Sequence, residues 1–297
     1  MSTAPRGALV AAYVACALIW GTTWFAIRVC IGDGGYPTYE ALALRFALAS
    51  AVLVPWALWL RRWPRAARTW IVLIVAGVLD AVGYALVYLG EERISGGVAA
   101  VLYGTQPLVY ALILWLSRLD RVRRSDVAGA VVSLLGVGVL FADRLDVSWA
   151  QAVGVLLVLG SVVASALYAS MMKRWAEGEH PVVVTTIFLG VTALVLGAVA
   201  LGRGAAPVVW PPALAPTLAL VYLALVGSVI AFATFFWLLA RVSVMTTGTL
   251  VFVFPLVALA VDAVWERDVA LGGRGYLGVA ITLAGLVVSL RGRGRAR

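Results

Sequence analysis

The sequence predicts an all-α integral membrane protein, with ten transmembrane helices arranged as two inverted five-helix repeats. Composition is the first reason, because 63% of the 297 residues are hydrophobic and only 12% are charged, whereas a soluble domain carries about 25% charged residues. The apolar residues also form runs long enough to cross a bilayer. Finally, the second half of the chain repeats the pattern of the first half.

Ten apolar runs follow one another along the chain, separated by short connections that hold no soluble domain. Each run is near the length of about 20 residues that a helix needs to span the hydrocarbon core. In order, the predicted spans cover residues 9–29, 39–60, 70–90, 95–116, 127–142, 150–172, 182–202, 217–240, 245–264 and 275–290.

The basic residues are concentrated in alternate connections, which predicts the orientation of the chain in the membrane. Sixteen of them fall on the side of the N-terminus, and five fall on the other side: Arg93, Arg144, Arg203, Arg267 and Arg274. This excess predicts a multi-pass protein of a bacterial inner membrane with both termini in the cytoplasm. Because the net charge of +9 lies in short clusters between apolar runs, and not on one face of a domain, no nucleic-acid partner is predicted.

Residues 77–95 align with residues 225–243 at an offset of 148, and this alignment reveals an internal repeat. The aligned pairs include Tyr84 with Phe232, Tyr88 with Phe236 and Arg93 with Arg241, and Pro107 matches Pro255 further along at the same offset. Because each half holds five predicted helices, the second half enters the membrane from the opposite side, as in transporters with inverted repeats. The predicted divisions are a first repeat over 1–142, a second over 149–290 and a basic cytoplasmic tail over 291–297.

Several short motifs, taken in their order along the chain, resemble those of a known family. Trp20-Gly21 lies in the first span, Leu44-Arg45-Phe46 in the second, and Trp265-Glu266 before the last, while the fifth and tenth spans are rich in glycine. Together with Pro107 and Pro255, these features resemble the EamA-type ten-helix exporters of the drug/metabolite transporter superfamily. The resemblance covers nearly the whole chain, and it implies gradient-driven movement of amino acids and other small metabolites, usually outward.

Polar and aromatic side chains recur at spacings of three or four residues in several predicted helices, which places them on one face of each helix. We expect these faces to line a substrate cavity where the two halves meet. The predicted substrate-binding residues are Trp20, Trp24, Asp80, Tyr84, Tyr103, Gln106, Tyr168 and Phe232. The alternative is that these side chains pack against neighbouring helices or lipid.

Asp80 lies at the centre of an otherwise uncharged span, where a carboxylate costs about 2.5–3.5 kcal/mol on insertion scales. Arg45, in the preceding helix, is the candidate cation nearest to that depth. Three roles stay open for Asp80. It binds a substrate amine or a coupling proton, it forms a structural ion pair with Arg45, or it makes incidental polar contacts.

Pro107 and Pro255 occupy matching positions in the fourth and ninth spans. A proline inside a helix releases a backbone carbonyl from its hydrogen bond. The two prolines are therefore predicted either to kink their helices for packing or to act as hinges during alternating access.

These features predict a gradient-driven transporter, proton-coupled or facilitative, that exports small metabolites such as amino acids by alternating access. An exporter of drugs or organic cations is the alternative, because aromatic rings around one carboxylate would also bind a cation. A membrane-embedded enzyme is a more distant alternative.

No catalytic residue, metal site or cofactor is predicted, since the sequence has no metal-ligand cluster, no CxxC and no phosphate-binding loop. The single histidine, His180, is predicted to be a solvated residue of a cytoplasmic loop. The expected partners are a small-molecule substrate and the lipid bilayer. The sequence leaves the oligomeric state open and is compatible with a monomer.

Overall fold

The computed structural model describes residues 4–32, 34–91, 93, 99, 102–117, 122–141, 149–204, 213–254, 256–257, 260–261 and 273–294. All regular structure in these residues is helical. Pro255 of the predicted hinge pair, the Trp265-Glu266 motif and residues 295–297 of the predicted tail lie outside the described residues.

The helices are numbered in chain order. They are α1 (Arg6–Ile31), α2 (Thr38–Leu60), α3 (Ala67–Glu91), α4 (Gln106–Ser117), α5 (Arg124–Phe141), α6 (Trp149–Trp175), α7 (Pro181–Gly202), α8 (Leu214–Leu239), α9 (Val244–Gly248) and α10 (Gly273–Gly294). Within the described residues, six helices are long and apolar enough to cross a membrane, namely α1, α2, α3, α6, α7 and α8. The chain is therefore a multi-pass membrane protein, and the count of ten spans stays a prediction.

Helical structure is what an apolar segment needs inside a bilayer, because each backbone N–H and C=O group must find its partner within the segment. The outward faces of these helices carry large apolar side chains, such as Trp59 of α2 and Leu194 of α7, which are 77% and 75% exposed. Such faces are suited to contact with lipid tails.

Prolines mark the start of several helices. α1 follows Pro5, α2 follows Pro37, and Pro181 is the first residue of α7. The first turn of a helix has no intrahelical acceptor for its N–H groups, so a proline there removes no hydrogen bond. α9 begins after Ser243 instead, whose hydroxyl accepts a hydrogen bond from the Thr246 N–H at 3.1 Å and caps the helix.

The chain divides into two compact units. The first contains Met1–Ala85 and Met171–Arg241, and the second contains Leu86–Ser170 and Val242–Arg297. Each unit therefore combines helices from both halves of the sequence.

In the first unit, α2 packs along α7. Leu42, Phe46 and Leu53 of α2 are fully buried, and the Thr186 hydroxyl of α7 donates to the backbone oxygen of Leu53 at 3.4 Å. α1 packs against α8 in the same unit, where the hydroxyl groups of Thr22 and Tyr222 share a hydrogen bond.

In the second unit, α5 packs closely along α10. A Cβ atom at Gly129 would lie 2.6 Å from the backbone nitrogen of Ser289, and the Ser133 hydroxyl donates to the backbone oxygen of Thr282 at 3.0 Å. Small residues on both helices therefore allow the two backbones to approach, as is common for helices packed in membranes.

Candidate functional site

The first unit contains a buried arginine. Arg45 of α2 is 2% exposed. Its Nε donates to Ser228 Oγ at 2.9 Å, and its Nη2 donates to the Gly227 oxygen at 3.3 Å and the Tyr84 hydroxyl at 3.4 Å. The guanidinium carbon also lies 5.2 Å from the ring centroids of Phe46 and Tyr84. Oxygen acceptors and aromatic faces therefore stabilise this cation away from water.

A π-helical segment in α8, Leu225–Ile230, presents two of these acceptors to Arg45. A π turn shifts the backbone hydrogen bonds from their α-helical register, and such turns are frequent at functional sites. A Cβ atom at Gly227 would lie 3.0 Å from Thr23 Cγ2 and 3.6 Å from Arg45 Nη2. A glycine at this position therefore allows α8 to approach Thr23 of α1 closely, beside the guanidinium.

The Asp80 carboxyl of α3 is buried against a threonine. Asp80 is 3% exposed, and Thr192 Oγ1 of α7 donates to its Oδ2 at 3.0 Å. The same hydroxyl lies 3.1 Å from the backbone oxygens of Gly77 and Phe188. It has one proton to donate, so it bonds either to the carboxylate or to one of these carbonyls.

This arrangement gives Asp80 a hydrogen bond in both of its protonation states. When Asp80 is charged, Thr192 donates to it. When Asp80 is protonated, it donates to Thr192 Oγ1, and the threonine proton turns to a backbone oxygen at 3.1 Å. A hydroxyl supports both arrangements because it is donor and acceptor at once.

Gly77 allows α3 and α7 to approach closely at this point. A Cβ atom there would lie 2.6 Å from the Phe188 oxygen and 2.7 Å from Val191 Cβ. Asp80 follows Gly77 by three residues and Thr192 follows Phe188 by four, so each lies on the same helix face as the contact. The close approach therefore places the carboxyl beside the hydroxyl.

The contacts described above do not include a hydrogen bond between Asp80 and Arg45, the predicted ion pair. The two groups interact electrostatically. Their hydrogen bonds described above go to different partners, however, with Thr192 bonded to Asp80 and Ser228 bonded to Arg45. The structural ion pair stays a prediction.

Aromatic rings form a cluster in the same unit. Trp20 of α1 packs against Phe232 and Phe235 of α8, with ring centroids 5.4 and 5.1 Å apart. Phe232 in turn lies 5.4 Å from Phe188 and 6.0 Å from Phe236. Two of the predicted binding residues, Trp20 and Phe232, are therefore in direct contact.

Phe188 joins this aromatic cluster to the carboxyl group. Its ring contacts Phe232, while its backbone oxygen lies 3.1 Å from the hydroxyl that bonds to Asp80. Trp24, four residues after Trp20 on α1, is half-buried.

The remaining predicted binding residues belong to the second unit. The Tyr103 hydroxyl shares a hydrogen bond with the Ser161 hydroxyl of α6. Gln106, at the start of α4, and Tyr168, in α6, are both buried. That these side chains line one cavity with Trp20, Trp24 and Tyr84 stays a prediction.

Pro107 is the second residue of α4 and follows a turn at Gly104 and Thr105. The Leu108 N–H donates to the Thr105 oxygen at 2.9 Å as the helix begins. The sequence predicts this proline within a continuous span, whereas the structure places it in a first turn, where its missing N–H removes no helical hydrogen bond. The hinge role stays a prediction for Pro107 and for Pro255.

Thr192 and Ser161 are hydrogen-bond partners that the sequence did not single out. Both are small hydroxyl residues in apolar spans, and such residues commonly bond to their own helix backbone. The available signal was the spacing of Thr185 and Thr192, seven residues apart and therefore on one face of α7. That signal says nothing about which carboxyl group Thr192 meets.

No group of three or more His, Cys, Asp or Glu side chains in the described residues could hold a metal ion. The two cysteines, Cys16 and Cys30, are buried thiols. The polar groups around Asp80 and Arg45 are hydroxyls, which donate and accept hydrogen bonds, and backbone oxygens, which accept them.

Comparisons with known proteins show the family to which the chain belongs. Residues 6–142 and 152–291 each match the EamA-like transporter family. The uncharacterised inner membrane transporter YedA of Escherichia coli is 28% identical over 260 residues, which are 85% of this chain and 80% of YedA. A probable terminal-alkyne amino-acid exporter, so named, of Streptantibioticus cattleyicolor is 28% identical over 295 residues, which are 96% of this chain and 95% of that protein.

A solved crystal structure with 22% sequence identity has the same fold, with a TM-score of 0.80 over 99% of this chain and 100% of its own. The family matches cover most of both halves of the sequence, and the described helices are apolar enough for a membrane. The chain belongs to the EamA-like transporter family and is a membrane transporter.

Proposed function

We propose that this chain is a proton-coupled exporter of small metabolites such as amino acids, which works by alternating access in a bacterial inner membrane. Ten transmembrane helices form two inverted repeats, over residues 1–142 and 149–290, and both termini are cytoplasmic. The excess of basic residues on one side supports the orientation. The separate family matches to the two halves support the repeats.

The observation that carries this proposal is the hydrogen bonding of Asp80. A carboxylate at this depth costs about 2.5–3.5 kcal/mol, and a hydrogen bond to a charged group returns about 1.5–3 kcal/mol. The bond from Thr192 therefore offsets much of this cost for the charged form, and the same hydroxyl can accept a hydrogen bond from the protonated form. A group that takes up and releases a proton in each cycle needs both properties.

Opposite charges in the first unit support an amino-acid substrate. The Asp80 carboxylate matches an ammonium group, and the Arg45 guanidinium matches a carboxylate. The relative from Streptantibioticus cattleyicolor that is named as an amino-acid exporter supports the same class of substrate.

An organic cation is the second candidate substrate, and the aromatic cluster favours it. The Trp20 ring lies 5.4 Å from the Phe232 ring and 5.1 Å from the Phe235 ring. A positive ligand is attracted to such ring faces when a carboxylate is near. Transport of amines that lack a carboxylate group would distinguish an exporter of organic cations from an exporter of amino acids.

Transport by the purified protein in proteoliposomes tests the proposal. We expect a pH gradient to drive uptake of at least one compound from a panel of amino acids, amines and nucleosides. In Asp80→Asn, uptake driven by the gradient should fall by at least about tenfold, the equivalent of one hydrogen bond to a charged group. Exchange of labelled for unlabelled substrate needs no net proton movement, so it should continue if Asp80 carries only the proton and should fall as well if Asp80 also binds the substrate ammonium. Full gradient-driven uptake by Asp80→Asn would exclude Asp80 as the coupling group.

The structural ion pair is tested in the same variants. Arg45 keeps its bonds to Ser228, Gly227 and Tyr84 when Asp80 is neutralised, so we expect Asp80→Asn to fold and insert normally. A loss of folded Asp80→Asn that is restored by adding Arg45→Gln would show that the pair is structural, since removing one partner leaves the other charge uncompensated.

A further inference from the structure

The connection between α2 and α3 carries a concentration of positive charge that the transport mechanism above does not use. Together with the first two residues of α3, it reads RRWPRAAR over residues 61–68, and we call this segment the basic loop. Its four arginines are exposed, namely Arg61, Arg62, Arg65 and Arg68. Among the described residues, none of these four side chains forms an ion pair with a carboxylate.

The basic loop has a defined shape. The rings of Trp63 and Trp70 are stacked, with centroids 5.9 Å apart and planes at 15°, and Trp70 Nε1 donates to the Pro64 oxygen at 3.0 Å. Arg61 has a φ of 52° and donates its N–H to the Ala57 oxygen at 3.1 Å, which ends α2. A left-handed conformation is unfavourable for arginine, and such strain is concentrated at functional sites.

The basic loop lies against the end of α6 and the start of α7, in the same unit. The Arg68 guanidinium carbon is 5.0 Å from the centroid of the Trp175 ring. Burial, and then the positive charge of Arg62, lower the pKa of His180 below its ordinary value. Trp175 Nε1 and His180 Nδ1 are buried and have no hydrogen-bond partner.

The charged residues at the end of α6 and in its connection to α7 neutralise only part of the positive charge of the basic loop. Glu177 bonds to Lys173 at 3.3 Å, which leaves Glu179 as the other carboxylate, while Arg174 adds a positive charge. The four arginines therefore create a positive field that the nearby acidic side chains do not neutralise.

We propose that the basic loop, together with Trp175, binds the anionic headgroup of a phospholipid in the cytoplasmic leaflet. Guanidinium groups bond to phosphate oxygens in pairs, and basic clusters just cytoplasmic of a transmembrane helix attract anionic lipids. Tryptophan rings are enriched at the depth of the headgroups, and Trp63 of the loop stacks on Trp70 of α3 beside these arginines. A phosphate also supplies the acceptor that Trp175 Nε1 lacks, once Arg68 turns from the ring toward the lipid.

The site differs from the general excess of positive charge on one side of the membrane. A diffuse attraction depends on the number of basic residues and not on their positions. A headgroup site depends on particular arginines, so Arg65 and Arg68 of the loop should matter more than Arg174, which is exposed on the same side of the first unit.

His180 is a reporter for this site, because it is the single histidine of the chain. We would label histidine with ¹⁵N in the untagged full-length protein and titrate it by NMR in lipid nanodiscs. The pKa of His180 should be low in phosphatidylcholine and rise when phosphatidylglycerol is added, since a bound anion offsets the field of Arg62. Native mass spectrometry should show retained phosphatidylglycerol, weakened about fivefold for each arginine replaced by glutamine.

Matched variants and a second anion decide the outcome. Arg65→Gln with Arg68→Gln should remove most of the lipid-dependent rise, while Arg174→Gln should keep it. A rise of the same size in the double variant would overturn the proposal in favour of a diffuse surface potential. An equal rise with inorganic phosphate in phosphatidylcholine nanodiscs would overturn the lipid assignment. Neither readout involves transport, so either result leaves the proton-coupling proposal unaffected.

Discussion

Thr192 and Arg45 offer the Asp80 carboxyl two different kinds of stabilisation. A guanidinium can only donate and favours the charged carboxylate, whereas a threonine hydroxyl donates to the charged form and accepts from the protonated form. Thr192 is also held in place, because its hydroxyl lies 3.1 Å from two backbone oxygens. A lost partner is costly at this depth, since no water replaces it.

Substitutions of Thr192 test its role as the partner of Asp80. Thr192→Val keeps the shape and removes the hydroxyl, so we expect gradient-driven uptake to fall by about tenfold or more, because the charged carboxylate loses a bond of about 1.5–3 kcal/mol. The pH dependence of transport should move toward alkaline pH. Thr192→Ser keeps the hydroxyl and is the matched control, with a pH dependence near that of the wild type. An unchanged pH profile in Thr192→Val would rule out this role.

The pairing of α5 with α10 depends on the absence of side chains at particular positions. At Gly129 a Cβ atom would meet the Gly285 oxygen at 2.7 Å and the Ser289 nitrogen at 2.6 Å. These are backbone atoms, which cannot move without shifting a helix. Gly138, on the same helix, has no heavy atom within 4 Å of its Cβ position.

The two glycines of α5 provide a matched test of this packing. Gly129→Ala should destabilise the protein by about 1–3 kcal/mol, the usual result of overpacking. Gly138→Ala should not destabilise it, because the added methyl group meets open space and alanine is the better helix former. Thermal unfolding of both variants in the same detergent measures the difference. Equal unfolding temperatures would show that α5 and α10 are less closely packed than described.

At the scale of the whole molecule, the distribution of basic residues predicts the orientation of the chain in the membrane. Sixteen basic residues fall on the predicted cytoplasmic side and five on the other, and positively charged segments resist transfer across the inner membrane. The two compact units do not correspond to the two halves of the sequence, because each contains helices from both halves. The orientation is therefore predicted from the connections and not from the units.

A cysteine introduced at Gly34 tests the orientation. This residue lies between α1 and α2, with nothing within 4 Å of its Cβ position and a φ of +69°, so the substitution costs about 1–2 kcal/mol but leaves the thiol accessible. We expect an impermeant thiol reagent to label Gly34→Cys from outside the cell. The wild type is the control, since Cys16 and Cys30 are buried. Labelling only from the inside would show that the predicted orientation is wrong.

The sequence by itself determined the class of protein and the positions of its long apolar helices. The predicted spans 39–60 and 182–202 differ from α2 (Thr38–Leu60) and α7 (Pro181–Gly202) by one residue at their starts. A membrane span is a local property, since a run of about 20 apolar residues satisfies its backbone within the helix. The position of Asp80 near the middle of its helix could be predicted for the same reason.

Only the tertiary structure decided which groups Asp80 and Arg45 meet. Thr192 is 112 residues from Asp80 in sequence, and Ser228 is 183 residues from Arg45. Apolar helices of similar composition present many hydroxyl groups, and their spacing predicts a face but not the neighbour of that face. Close contacts between backbones, as at Gly77 against Phe188, set the register of two helices, and that register determines which hydroxyl reaches the buried carboxyl.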